Sequence, residues 1–201
     1  MTRKHAGLSF AVLSADEIPA ALTDLARLRI TVFAAWPYLY DGDAAYEAGY
    51  LARFAASPGA VVIAAHDPDG RMVGAATAAP LIDHADEFAA PFADAGLDPA
   101  DYFYLAESVL LPEFRGQGAG RHFFEMREAA GRAQGFSRAV FASVQRPAAH
   151  PARPEDYLPL DAFWRRLGYQ LLAGLQAEFS WRDIGDSAES LKTLQVWGRD
   201  L

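Results

Sequence analysis

The 201-residue chain predicts an α/β (α+β) domain built on one mixed central sheet, and three observations carry that expectation. Residues 60–66 and 72–79 are two apolar runs joined by Asp67-Pro68-Asp69-Gly70, a turn in which Pro presets φ and Gly tolerates positive φ, so this part of the sheet is antiparallel. Residues 102–111, 118–134 and 138–144 read as strand, helix and strand, and a right-handed β-α-β crossover makes its two strands parallel. The length suits one sizeable core and no linker-like stretch divides it, so residues 1–201 are expected to form a single domain.

The remaining elements follow in order. Residues 8–13 read as a first strand, and Asp16 or Glu17 opens a helix whose Ile18, Leu22, Leu25, Leu28 and Val32 keep a 3.6-residue period. Pro19 fits only in its first turn. Trp36-Pro37 ends that helix, and a second begins near Asp43 with Tyr46, Tyr50, Leu51 and Phe54 on one side, stopped by Ser57-Pro58-Gly59. From 81 to 101 the chain turns acidic and Ala-rich, with His84, Asp86, Glu87, Asp94, Asp98 and Asp101 around Phe88, Phe92 and Leu97, which predicts one short helix with loops. Phe123, Met126, Ala130 and Ala133 recur at helical spacing up to Gly135. Residues 147–159 are a proline-rich excursion, 159–167 a brief helix stopped by Gly168, and 169–175, 177–181 and 192–197 a closing strand and hairpin.

Composition narrows the function. With 52% hydrophobic and 22% charged residues the balance is that of a soluble globular protein, and no apolar stretch reaches the length of a membrane span. The N-terminal Arg3-Lys4-His5 precedes a run too short and mixed for a signal peptide, which makes the cytoplasm the expected compartment. The net charge of −8 argues against nucleic acid and for a cationic or amine ligand. There is no cysteine, so thiolate metal sites and acyl-cysteine intermediates are excluded. The five histidines have no paired ligand spacing, and no metal is expected. Lys occurs only at 4 and 192 against many Arg and Ala, which reads as the codon usage of a high-GC bacterial genome.

Between the strand ending at Leu111 and the helix that follows lies Pro112-Glu113-Phe114-Arg115-Gly116-Gln117-Gly118-Ala119-Gly120. Glycines allow close backbone approach, first-turn amides lack intrahelical partners, and the helix dipole favours an anion there. Arg115 and Arg121 add positive charge. The spacing is wrong for a dinucleotide fingerprint, because Arg121 stands at the last glycine position, and no Gly-Lys-Ser/Thr follows for a P-loop.

The order Arg-x-x-Gly-x-Gly, with Pro112 three residues before Arg115, resembles the acetyl-CoA motif of the GNAT superfamily of N-acetyltransferases. The resemblance is specific from residue 105 to 125 and rests elsewhere on element order. It implies a splayed parallel strand pair, with the strand edge Val109, Leu110 and Leu111 and the loop residues Arg115, Gly116, Gln117, Gly118, Ala119, Gly120 and Arg121 holding acetyl-CoA. It also implies direct acetyl transfer to a primary amine of a small molecule or peptide, by a monomer or homodimer. A non-catalytic acyl-CoA-binding module of the same fold, or transfer of a longer acyl chain or to a hydroxyl, stands as the alternative.

Glu107 is the candidate general base, because it lies in an otherwise apolar strand and burial raises a carboxylate's pKa toward the working range. The alternative is a Glu that faces solvent or pairs with an Arg for stability. Glu113 and Glu125 read as solvated, the latter on a polar helix face with Arg121 and Glu128. For the general acid, many members of the resembling family place a Tyr where this chain has Trp164; Tyr157 is the candidate here, with His150 as a substitute, and the CoA thiol is acidic enough for its thiolate to leave unaided. Tyr38, Tyr40, Asp41 and Glu47 are the candidate acceptor wall, since aromatics with acids suit a cation. The same segment could instead staple the first two helices to the sheet, with Asp41 or Asp43 as an N-cap.

Overall fold

The computed structural model describes residues 7–84 and 91–201. Strand β1 (Ser9–Val12) leads into helices α1 (Ile18–Phe33) and α2 (Ala44–Ala55), then strands β2 (Val61–His66), β3 (Met72–Pro80) and β4 (Tyr102–Leu110). Helix α3 (Ala119–Ala133), strand β5 (Arg138–Val144), helix α4 (Asp161–Arg166) and strands β6 (Gln170–Trp181) and β7 (Ser190–Asp200) complete it. The seven strands form one sheet in the order β1-β2-β3-β4-β5-β7-β6, antiparallel except for β4 against β5. Helices α1 and α2 cover one face through Leu25, Leu28, Leu51 and Phe54. Helix α3 covers the other through Phe123 and Phe124, which pack with Phe103, Leu105 and Phe141.

Most elements lie where the apolar spacing puts them. Asp43, rather than Asp41, caps α2 by accepting from the Ala45 and Tyr46 amides at 2.9 Å. Glu17 precedes α1, but its carboxylate turns back to Ser14 instead of capping the helix. The segment 81–101 holds 3₁₀ turns at Leu81–His84 and Pro99–Asp101 and a helical turn at 91–94. Asp86, Glu87 and Phe88 lie outside the described residues, as do Arg3, Lys4 and His5. The closing strand is continuous where an interruption near Gln176 is expected; the register shifts between Leu171 and Gln176, and Gly174 takes a φ of 81° there. Glu128 departs from the polar face expected of it: it is buried, accepts from the Tyr169 hydroxyl at 3.0 Å and pairs with Arg199 at 3.4 Å.

Two irregularities of β4 position the site. First, its parallel pairing with β5 covers only Tyr102 to Tyr104 against Arg138 to Val140, after which the strands part. Second, Ala79 faces Tyr104 but Thr77 faces Glu107, so β4 carries one residue more than β3 between these pairs. That extra residue is a β-bulge, which bends the strand and reverses the side-chain alternation beyond it. Phe103 and Leu105 therefore pack toward α3, whereas Glu107 and Val109 turn toward α1 and α2.

Candidate active site

At the open end of the splay, the Leu111 amide donates to the Val73 carbonyl at 3.0 Å. Antiparallel alternation then turns the neighbouring Leu110 peptide away from β3, toward the gap beside β5. The Leu110 carbonyl accepts from Arg115 Nε at 3.1 Å. Gly116 and Gly118 have φ of 76° and 89°, a conformation that costs L-residues about 1–2 kcal/mol. Gly118 is the residue before α3, and among the described residues no side chain caps that end. The first-turn amides are thus presented bare, without an acidic side chain in the turn. Arg121 pairs with Glu125 at 2.8 Å on the exposed helix face. Such an end favours phosphate.

On the α1/α2 face of β4 a cavity of ≈ 110 Å³ is walled by the aromatic rings of Phe33, Tyr38, Tyr40, Tyr50, Tyr104 and Trp181 and reached by Glu107 and Arg29. Arg29 donates through Nε to Glu47 Oε2 and through Nη1 to Glu107 Oε2, and its guanidinium lies 4.3 Å from the Tyr50 ring centre. Burial opposes its charge, yet Glu107, Tyr50 and Glu47 outweigh that and raise its pKa. One guanidinium between two carboxylates leaves one net negative charge. Glu107 is 8% exposed, and among the described residues its Oε1 has no hydrogen-bond partner. Neither does Oγ1 of Thr77, its register partner on β3. Unmatched buried acceptors are costly, and a ligand that donates hydrogen bonds would offset that cost. Burial, with the Glu107 charge next, pushes the Tyr38 phenol up to about 12, so it is neutral at ordinary pH.

The structure thus gathers three of the residues singled out in the sequence, Glu107, Tyr38 and Tyr40, around one cavity. Glu47 is fully buried behind it as the partner of Arg29, not exposed at its mouth. Asp41 pairs with Arg182 at 2.8 Å in an adjoining groove that shares Tyr40 and Trp181 with the cavity. Tyr157 does not line the cavity; it stands edge-on to Trp36, with ring centres 5.9 Å apart, and His150 packs on the same indole at 5.1 Å. Arg29, Tyr104 and Trp181 escape a sequence reading of the site, although Arg29 carried a signal: it lies four residues from both Leu25 and Phe33, on the buried stripe of α1.

Comparison with known proteins agrees with this architecture. The acetyltransferase (GNAT) family model matches residues 25–169. A GCN5-related N-acetyltransferase from Kribbella flavida superposes with a TM-score of 0.56 at 17% identity, covering 97% of this chain and 98% of that one. A GNAT superfamily phosphinothricin acetyltransferase from Sinorhizobium meliloti, solved in complex with AcCoA, gives 0.57 at 16% identity, covering 97% and 89%. An N-acetyltransferase from Staphylococcus aureus Mu50 gives 0.57 at 11%, covering 97% and 99%. At these identities the structural likeness speaks for the fold. No curated protein matches the sequence. Among the described residues no helix is long and apolar enough to cross a membrane.

Proposed function

The chain belongs to the acetyltransferase (GNAT) family and is an acyltransferase, and from that premise we propose that it moves an acetyl group from acetyl-CoA directly to a primary amine whose cationic head enters the aromatic cavity. The observation that carries this reading is the unpartnered Glu107 Oε1 beside a cavity walled by rings, at a site with one surplus negative charge. Aromatic faces and an uncompensated carboxylate both attract an ammonium group. Neither suits a carboxylate-bearing acceptor.

The donor, when bound, supplies a thioester carbonyl and a thiolate leaving group. The backbone amides from Gly116 to Arg121, with Arg115, are the candidates for holding its pyrophosphate. The Leu110 peptide, turned to the gap between β4 and β5, is suited to its pantetheine arm. Val109 and Leu111 frame that edge. The acceptor enters as the ammonium ion and gives one proton to Glu107 Oε1, which frees the lone pair that forms the N–C bond as the C–S bond breaks. Tyr157, whose pKa burial and Asp161 raise, holds a proton at neutral pH and is the candidate donor to the departing thiolate, which can also leave into water. A second proton from the amine nitrogen returns to solvent.

A thiol-release assay with acetyl-CoA over a panel of acceptors tests this. Primary alkylamines are expected to be acetylated, and an unreactive quaternary ammonium ion should compete with the amine but not with acetyl-CoA. Preference for carboxylate-bearing amines, or indifference to the quaternary ion, would contradict the reading.

A further inference from the structure

Arg127 has no part in the scheme above, yet it is among the most deeply buried side chains of the molecule, 1% exposed. It rises from α3 on the face of the sheet opposite the cavity, between Phe123 and Gly131 on the buried stripe of that helix. Among the described residues no carboxylate pairs with it. Its donors go instead to neutral oxygens: Nη1 to the Glu107 carbonyl at 2.9 Å and the Thr77 carbonyl at 3.2 Å, Nη2 to Ser108 Oγ at 2.8 Å, and Nε to the Phe123 carbonyl at 3.2 Å. Burial holds its pKa down to about 10, so it is charged at neutral pH. A buried guanidinium without a counter-ion costs more stability than an apolar side chain of similar size. Packing does not account for it.

Thr77 and Glu107 are the first register pair after the bulge, where the regular ladder is disrupted and carbonyls lose their strand partners. Arg127 bonds the carbonyls of both. We propose that Arg127 is a positioning residue: by pinning the main chain at Glu107 and Thr77 it fixes the bulge, and the bulge is what turns the Glu107 carboxylate away from α3 and into the acceptor cavity. Without the pin β4 can regain regular alternation, which would carry Glu107 to the α3 face. This proposal rests on the reading of Glu107 as the acceptor-side base, and its test separates the two.

The test is a double-mutant cycle of Arg127→Lys with Glu107→Gln, read as kcat and as KM for both substrates, alongside thermal melting. Lys keeps the charge but cannot fork to both carbonyls and the serine. Arg127→Lys alone should lower kcat by about tenfold to a hundredfold, in keeping with a misplaced catalytic group, and leave the acetyl-CoA KM unchanged. In the Glu107→Gln background the same change should add little. Ser108→Ala, which removes one anchor at the surface, should give a smaller loss of the same kind without altering the fold. Equal losses in both backgrounds, or no loss from Arg127→Lys, would overturn the clamp. An unchanged kcat in Glu107→Gln alone would instead overturn the role of Glu107, and a loss from Arg127→Lys in that event would show that Arg127 acts through another group.

Discussion

Arg29 and Arg127 are both buried guanidiniums and both bond Glu107, but one grips its side chain and the other its main chain. On the α1 face Arg29 joins two carboxylates, whose attraction overcomes the desolvation of the cation and raises its pKa. On the α3 face Arg127 bonds carbonyls and a hydroxyl and lies over the Phe124 ring, with no carboxylate pairing with it among the described residues, and desolvation prevails, lowering its pKa to about 10. Opposite solutions to the same burial cost indicate different duties. In the proposed scheme the first cation balances charge in a cavity that stays slightly negative, and the second braces a strand that stays irregular.

The largest expected effect follows from removing each cation. Arg29→Met leaves Glu47 and Glu107 buried together without a counter-ion, and breaking such a pair typically costs about 3–5 kcal/mol. Arg127→Met leaves neutral oxygens without donors but also removes a buried charge, so its cost should be smaller, about 1–3 kcal/mol. Denaturant unfolding at neutral pH compares the two. Equal losses would break the distinction.

A second prediction sets the donor end against the acceptor end. Gly118→Val forces a β-branched residue into a left-handed conformation at the start of α3 and fills the approach to its amides. Acetyl-CoA at about a hundred times its Kd should stabilise the parent by about 2.7 kcal/mol, a shift the variant should lose. Glu107→Gln should retain it. Undiminished thermal protection of Gly118→Val would remove the loop from donor binding.

The two ends also differ in how far the residues alone reveal them. The donor loop is legible because its requirement is conformational: positive φ at Gly116 and Gly118 leaves glycines in a short contiguous stretch. The mixed sheet is legible for a similar reason, since the Asp67–Gly70 turn and the β-α-β crossover are local. The proposed acceptor cavity is assembled from α1, the segment before α2, α2 itself, β4 and β6, and no local pattern links those parts. The bulge hides the rest. Alternation counted from Phe103 and Leu105 would send Glu107 to the α3 side, and only the register with β3 reveals the extra residue. Arg29 and Arg127 were visible in principle, as charges four residues from buried positions on either side.

The most direct test of the central claim is the pH dependence of kcat over the acceptor KM for Glu107→Gln against the parent, with a simple alkylamine as acceptor. If Glu107 takes the ammonium proton, the variant is slower by about 10²-fold or more at neutral pH, and its rate climbs with pH toward the amine's own pKa, narrowing the gap as free amine accumulates. A variant as fast as the parent at neutral pH, or one whose deficit is the same at every pH, would contradict a base at Glu107.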